Sequence, residues 1–91
     1  MAVTVKLPTQ LRDAAGNQTE AQLDGATVGE ALASLYAQHG ELQHRIADDD
    51  GGLRRFVNVY LDDEDVRTLD GLSTPVREGG QLTILPAVAG G

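Results

Sequence analysis

Cysteine and tryptophan are both missing from this chain, and Tyr36, Phe56 and Tyr60 are its three aromatic residues. Without a thiol there is no disulfide framework, no thiolate metal site and no cysteine nucleophile. If the protein handles sulfur, its own thiols take no part. Three aromatics do not make a base-stacking platform. Positive charge is also scarce: seven Lys and Arg against fourteen Asp and Glu leave a formal net charge of −7. A surface of that sign repels phosphate backbones and anionic membranes, which argues against nucleic acid or membrane as partners and leaves basic protein patches open. Long apolar runs are lacking too, so nothing here spans a bilayer. The opening MAVTVKLP alternates instead of showing the basic-then-apolar layout of a signal peptide. The expectation is a cytoplasmic protein.

What is present suffices for one domain. A chain of 91 residues with 41% hydrophobic and 23% charged content has the composition of a soluble protein with a single core. Val3, Val5 and Leu7 alternate with Thr4 and Lys6, which predicts a half-buried strand over Ala2 to Leu7, ended by Pro8. A weaker alternation over Asn17 to Leu23 predicts its hairpin partner, with Asp13 and Gly16 in the loop between them. After the turn signal Asp24-Gly25, Thr27 and Glu30 fit a capping box, in which each side chain accepts a backbone N–H left unpaired by the first helical turn. Val28, Ala31, Leu32, Leu35 and Tyr36 follow on one helical face. Gly40 stands where a left-handed residue would end that helix, and Leu42 and Ile46 allow a short further turn before the loop Ala47 to Gly52. FVNVYL, Phe56 to Leu61, is β-rich. Asp62 to Asp65 reads as the acidic turn after it, with Val66 beginning a short return strand. Gly79-Gly80 predicts a tight turn into a last strand over Gln81 to Leu85, whose Leu82, Ile84 and Leu85 suggest burial on more than one side.

The order strand, strand, helix, strand, short strand, strand suits an α+β β-grasp, or ubiquitin-like, fold: a mixed sheet with one main helix across one face. In it the first and last strands lie parallel and adjacent, joined by a right-handed crossover. Residues 1–85 are expected to form the domain and residues 86–91 a flexible C-terminal tail. Pro86 cannot donate to a ladder and is expected to stop the strand. The tail PAVAGG spans at most about 20 Å at ~3.3 Å per residue, enough to enter an active-site channel. Gly90 and Gly91 lack a Cβ and pass a constriction that excludes side chains, while Ala89 and Val88 can lie against its wall. The terminal carboxylate of Gly91 is a poor electrophile until something supplies a leaving group, and adenylation by a partner would do so. Sulfur could then convert it to a thiocarboxylate.

RFVNVYLDDEDVR (Arg55 to Arg67), GGQLTILPAVAGG (Gly79 to Gly91) and VTVKLPTQLR (Val3 to Arg12) carry a resemblance that covers nearly the whole chain. The sequence resembles the ubiquitin-like sulfur carriers of the MoaD/ThiS family, nearest the actinobacterial CysO type. That resemblance implies a carrier without catalytic residues of its own, adenylated at Gly91 by an E1-like enzyme and loaded with sulfur by a sulfurtransferase. In the CysO-type route the acceptor is a PLP-dependent cysteine synthase, and a JAMM-type zinc metallopeptidase releases the product. ATP, PLP and zinc would belong to those partners, with no cofactor or metal bound here. A MoaD-like role as small subunit of molybdopterin synthase, sulfur donation to a thiazole-synthase-like or natural-product thiolating enzyme, and a passive ubiquitin-like interaction module remain as alternatives.

Other candidates carry less. Asp48-Asp49-Asp50-Gly51 lacks the ligand spacing of a calcium loop. His39 and His44 are not at the i, i+4 spacing of a shared metal, Ser34 and Ser73 have no assignable base, and neither Gly51-Gly52 nor Gly79-Gly80 belongs to a phosphate-loop pattern.

Overall fold

Alternation in the first strand is realised directly. The computed structural model describes residues 2–48, 52–54 and 57–86, and begins with β1 (Ala2–Lys6), whose Val3 and Val5 have no exposed surface. β2 (Glu20–Asp24) pairs with it antiparallel, Val3 opposite Leu23 and Val5 opposite Ala21, so that four inward side chains meet on one face. This strand starts three residues later than the alternation from Asn17 suggests. The residues between are not a simple hairpin loop. They form a short helix, α1 (Thr9–Arg12), running into a 3-10 turn over Asp13–Ala15, and Leu11 and Ala15 are buried with Leu7. The four-residue spacing of those three apolar residues is what folds the connection inward. Gly16 and Asn17, at φ of 66° and 64°, then reverse the chain.

The main helix, α2 (Val28–Gln38), starts at the expected cap: Thr27 Oγ1 accepts the Glu30 N–H at 3.2 Å, and Glu30 Oε1 accepts the Ala26 N–H at 3.0 Å. Val28, Ala31, Leu32 and Leu35 are buried against the sheet and Tyr36 is partly buried beside them. Gly40 does not end α2 as a left-handed cap. His39 breaks the helix with φ −136° and ψ 82°, and Gly40 is the first residue of a separate helix, α3 (Gly40–Ile46). The redirection takes Leu42 and Ile46, one turn apart, fully into the core.

β3 (Val57–Leu61) directs Val57 and Val59 inward; Phe56, read as part of this strand and of the core, lies outside the described residues. Asp62, at φ 57°, turns the chain into β4 (Glu64–Asp65), opposite Leu61 and Tyr60. The return strand is thus these two acidic residues. Val66, expected to begin it, instead opens a 3-10 turn over Val66–Thr68, which puts its side chain in the core. Gly79, at φ 79°, makes the predicted turn into β5 (Gln81–Pro86).

The sheet order is β2-β1-β5-β3-β4, with β5 parallel to β1 and antiparallel to β3. This is the β-grasp arrangement expected from the element order. Leu82 and Ile84 are fully buried, but Leu85 is 46% exposed. Successive side chains point to opposite faces, so burial of all three would need both faces covered, and the face that carries Leu85 is not. β5 also runs one residue past the expected boundary, with Pro86 in register with Val57. Among the described residues no helix is long and apolar enough to cross a membrane.

Candidate functional site

Everything that can present a C-terminal tail depends on β5. It is the third of five strands, held by Val5↔Leu82 and Lys6↔Thr83 on one side and by five pairs from Leu61↔Leu82 to Val57↔Pro86 on the other. The hairpin before it is anchored as well: the Gly79 N–H donates to Ala2 O at 2.9 Å, and the Thr4 N–H to Gly80 O at 3.0 Å. The strand therefore delivers Pro86 from a fixed origin. Residues Ala87 to Gly91, which include the expected site residues Val88, Ala89, Gly90 and Gly91, lie outside the described residues.

The sheet face away from α2 surrounds that origin. Thr83 and Leu85 of β5 stand beside Tyr60 and Asn58 of β3, since directly opposed residues share a face. Tyr60, Asp62, Asp63, Thr83 and Leu85 line a shallow depression of about 280 Å³. Its acidic wall is tied to the backbone: the Asp62 N–H donates to Gln81 O at 2.8 Å, and Asp62 Oδ1 accepts the Gln81 N–H at 3.3 Å. Next to Leu85, Asn58 Oδ1 accepts from Arg67 Nη1 at 2.8 Å, and Arg67 Nη2 donates to Arg54 O at 2.9 Å. Arg54 Nε in turn donates to His44 O at 2.9 Å. A chain of guanidinium contacts thus borders the end of β5. Sequence reasoning placed Arg55 to Arg67 in the resemblance but did not single out Arg54 or Arg67. Contacts between strand, helix end and 3-10 turn are tertiary, and local periodicity does not signal them.

The other candidates separate in space or find structural employment. His39 lies between α2 and α3, while His44 is in the last turn of α3 and gives its carbonyl to Arg54. Ser34 Oγ donates to Asp24 O at 2.8 Å. Asp48 Oδ1 accepts the Gly52 N–H at 3.0 Å; Asp49, Asp50 and Gly51 lie outside the described residues. Among the described residues no group of three or more His, Asp or Glu could hold a metal ion. Nothing among the described residues builds a nucleophile with its base. What they build is a rigid strand end with an apolar contact and arginines beside it.

Such an arrangement suits a ubiquitin-like carrier. The ThiS family matches residues 5–91, and the chain belongs to that family, whose sulfur carriers are not themselves catalysts. Among its relatives, the "Sulfur carrier protein CysO" of Mycobacterium tuberculosis is 45% identical over 93 residues, covering 100% of each chain. A chain in the crystal structure of the Amycolatopsis orientalis BexX/CysO complex superposes with a TM-score of 0.91 at 46% identity, covering 99% of this chain and 100% of that one. The crystal structure of Mycobacterium tuberculosis CysO gives 0.87 at 43% identity, covering 94% and 99%. The protein is a CysO-like sulfur carrier of the ThiS family.

Proposed function

We propose that the carboxyl group of Gly91 is the cargo-bearing group and that the sulfur it carries is used to make cysteine. The carboxylate attacks the α-phosphorus of ATP on an E1-like enzyme, forming an acyl adenylate and releasing pyrophosphate. A sulfurtransferase persulfide then displaces AMP to give an acyl disulfide, and a second thiol attacks its sulfur–sulfur bond, releasing the thiocarboxylate and leaving a disulfide on the partner. That soft anion adds to an aminoacrylate held on a PLP-dependent synthase, forming a thioester through the new carbon–sulfur bond. An S-to-N shift moves the acyl group to the amine, and hydrolysis of the resulting amide by a JAMM-type zinc peptidase frees cysteine and regenerates Gly91. ATP, PLP and zinc all sit on the partners.

The observation that carries this reading is β5 held between β1 and β3 over Gln81 to Thr83 and paired with β3 as far as Pro86, so that the last described residue of the strand is fixed to the sheet. At ~3.3 Å per residue the five residues after it reach about 16 Å, the depth of an active-site channel. Exposed Leu85 offers that channel's mouth an apolar contact. Full-length similarity to the carriers named CysO is the ground for naming cysteine as the product. The test is intact mass spectrometry after incubation with ATP, the adenylating enzyme and a sulfur source, followed by transfer to an O-phosphoserine-dependent synthase. Exchange of one oxygen for sulfur at Gly91, then a cysteine adduct, is expected. Sulfur that passes to a pterin precursor instead would refute the cysteine route.

A further inference from the structure

We propose that Arg54 and Arg67 form a guanidinium clamp beside the exit of β5, which seats carboxylates on the rim of the partner channel that takes up residues 87–91. This rests on the carrier reading above. Position comes first. Asn58 pairs with Leu85 and Val57 with Pro86, and the Val57 N–H donates to Arg54 O at 3.0 Å. Arg67 bonds both Asn58 Oδ1 and Arg54 O. The two arginines therefore flank the last two described residues of β5, where a channel mouth must meet the domain.

Both side chains are exposed and already fixed in place, and among the described residues neither guanidinium is fixed by a carboxylate. Among the described residues the one arginine–carboxylate ion pair is Arg45 with Asp13, at 3.2 Å. The two terminal nitrogens of Arg54 and Nε of Arg67 have no hydrogen-bond acceptor among the described residues, so each guanidinium retains donors for an outside anion. An exposed arginine held by acceptors elsewhere in the fold, as Arg54 is by His44 O and Arg67 by Asn58 Oδ1 and Arg54 O, has already lost part of its rotamer freedom, which makes its remaining donors a ready match for a carboxylate. A nucleotide phosphate fits less well: it must lie at the tip of the tail, about 16 Å beyond Pro86 at ~3.3 Å per residue.

A net charge of −7 would seem to oppose docking on an acidic rim. One carboxylate does stand at the clamp, since Asp65 Oδ1 accepts the Arg67 backbone N–H at 2.9 Å, but others are distant. Asp62, Glu78 and Asp24 gather at the start of β5: the Asp62 N–H bonds Gln81 O, Glu78 Oε1 accepts the Ala2 N–H, and Asp24 pairs with Ala2. The five steps from Gln81 to Pro86 separate the two ends by about 17 Å at ~3.3 Å per residue, roughly two Debye lengths at ~8 Å in physiological salt. The clamp touches the rim while the opposite end is screened, and what field remains turns the tail toward an acidic partner.

The experiment is ATP–pyrophosphate exchange by the adenylating enzyme with the full-length carrier, comparing wild type with Arg54→Gln, Arg67→Gln, the double variant and Arg67→Lys. Two rim contacts at roughly threefold each predict a KM for the double variant about tenfold higher at low salt, shrinking to about twofold at 0.5 M salt. KM for ATP stays unchanged, and Arg67→Lys falls between wild type and Arg67→Gln. A double variant within twofold of wild type at low salt overturns the clamp while leaving the carrier reading intact. So does a rise in KM for ATP in place of the carrier's, or a rise of equal size at both salts, which marks a merely structural role. Should Arg67→Gln fail to fold, Arg54→Gln, which loses one internal bond, carries the same comparison. Wild-type carrier that supports no exchange at all overturns the carrier reading, and the clamp with it.

Discussion

Ile84 and Leu85 adjoin in the chain and differ completely in environment: one has no exposed surface, and the other is 46% exposed. Truncating Ile84 to alanine removes buried methylenes from the centre of the sheet and is expected to cost about 2 to 5 kcal/mol, measured by urea denaturation. Leu85→Ala should change stability by no more than about 0.5 kcal/mol in the same assay. Tyr36 gives a second prediction. Burial of its ring desolvates the hydroxyl and raises its pKa from 10.0 to about 12. Between those values the unfolded chain has released a proton that the folded protein still holds. Stability is therefore intact below pH 10 and falls as pH rises toward about 12. Tyr36→Phe should flatten this decline relative to wild type, followed as melting temperature against pH.

The start of α2 is a unit whose parts can be removed one at a time. Thr27→Ala deletes the acceptor for the Glu30 N–H and should cost about 1 kcal/mol, read from thermal or urea unfolding. Gly25→Ala should be worse, because a Cβ there would lie 2.5 Å from the backbone nitrogen of Ala31, and backbone cannot swing aside as a side chain does. This element was legible in the sequence because both its signals, the capping box and the apolar stripe, are local. β1, β3 and β5 were legible for the same reason. The connection between β1 and β2 was not, since the spacing of Leu7, Leu11 and Ala15 spans too few residues to register as a helical period, and only the core they enter gives it meaning. Gly40 misled because a glycine after a helix suits a left-handed cap, whereas here the break falls at His39 and the glycine starts the next helix. Val66 was misassigned because a lone valine fits a strand or a 3-10 turn equally well until a core claims it.

Across the whole molecule, the described core and sheet are built from residues up to 86. Removing residues 87–91 should thus leave circular dichroism and the melting curve unchanged while abolishing adenylation. Of the candidate site, the chemistry expected at Gly90 and Gly91 was read from the sequence alone, and those residues lie outside the described ones. The sequence did not disclose the arginines at the strand exit, whose arrangement arises when β3, α3 and the turn after β4 come together. The placement of β5 between two partners has a mechanical consequence. Traction applied through the tail by an enzyme that grips it loads the ladders to β1 and β3 in shear, so many bonds must fail together before the strand slides. A domain pulled from beyond residue 86 would then be hauled in or released without unravelling.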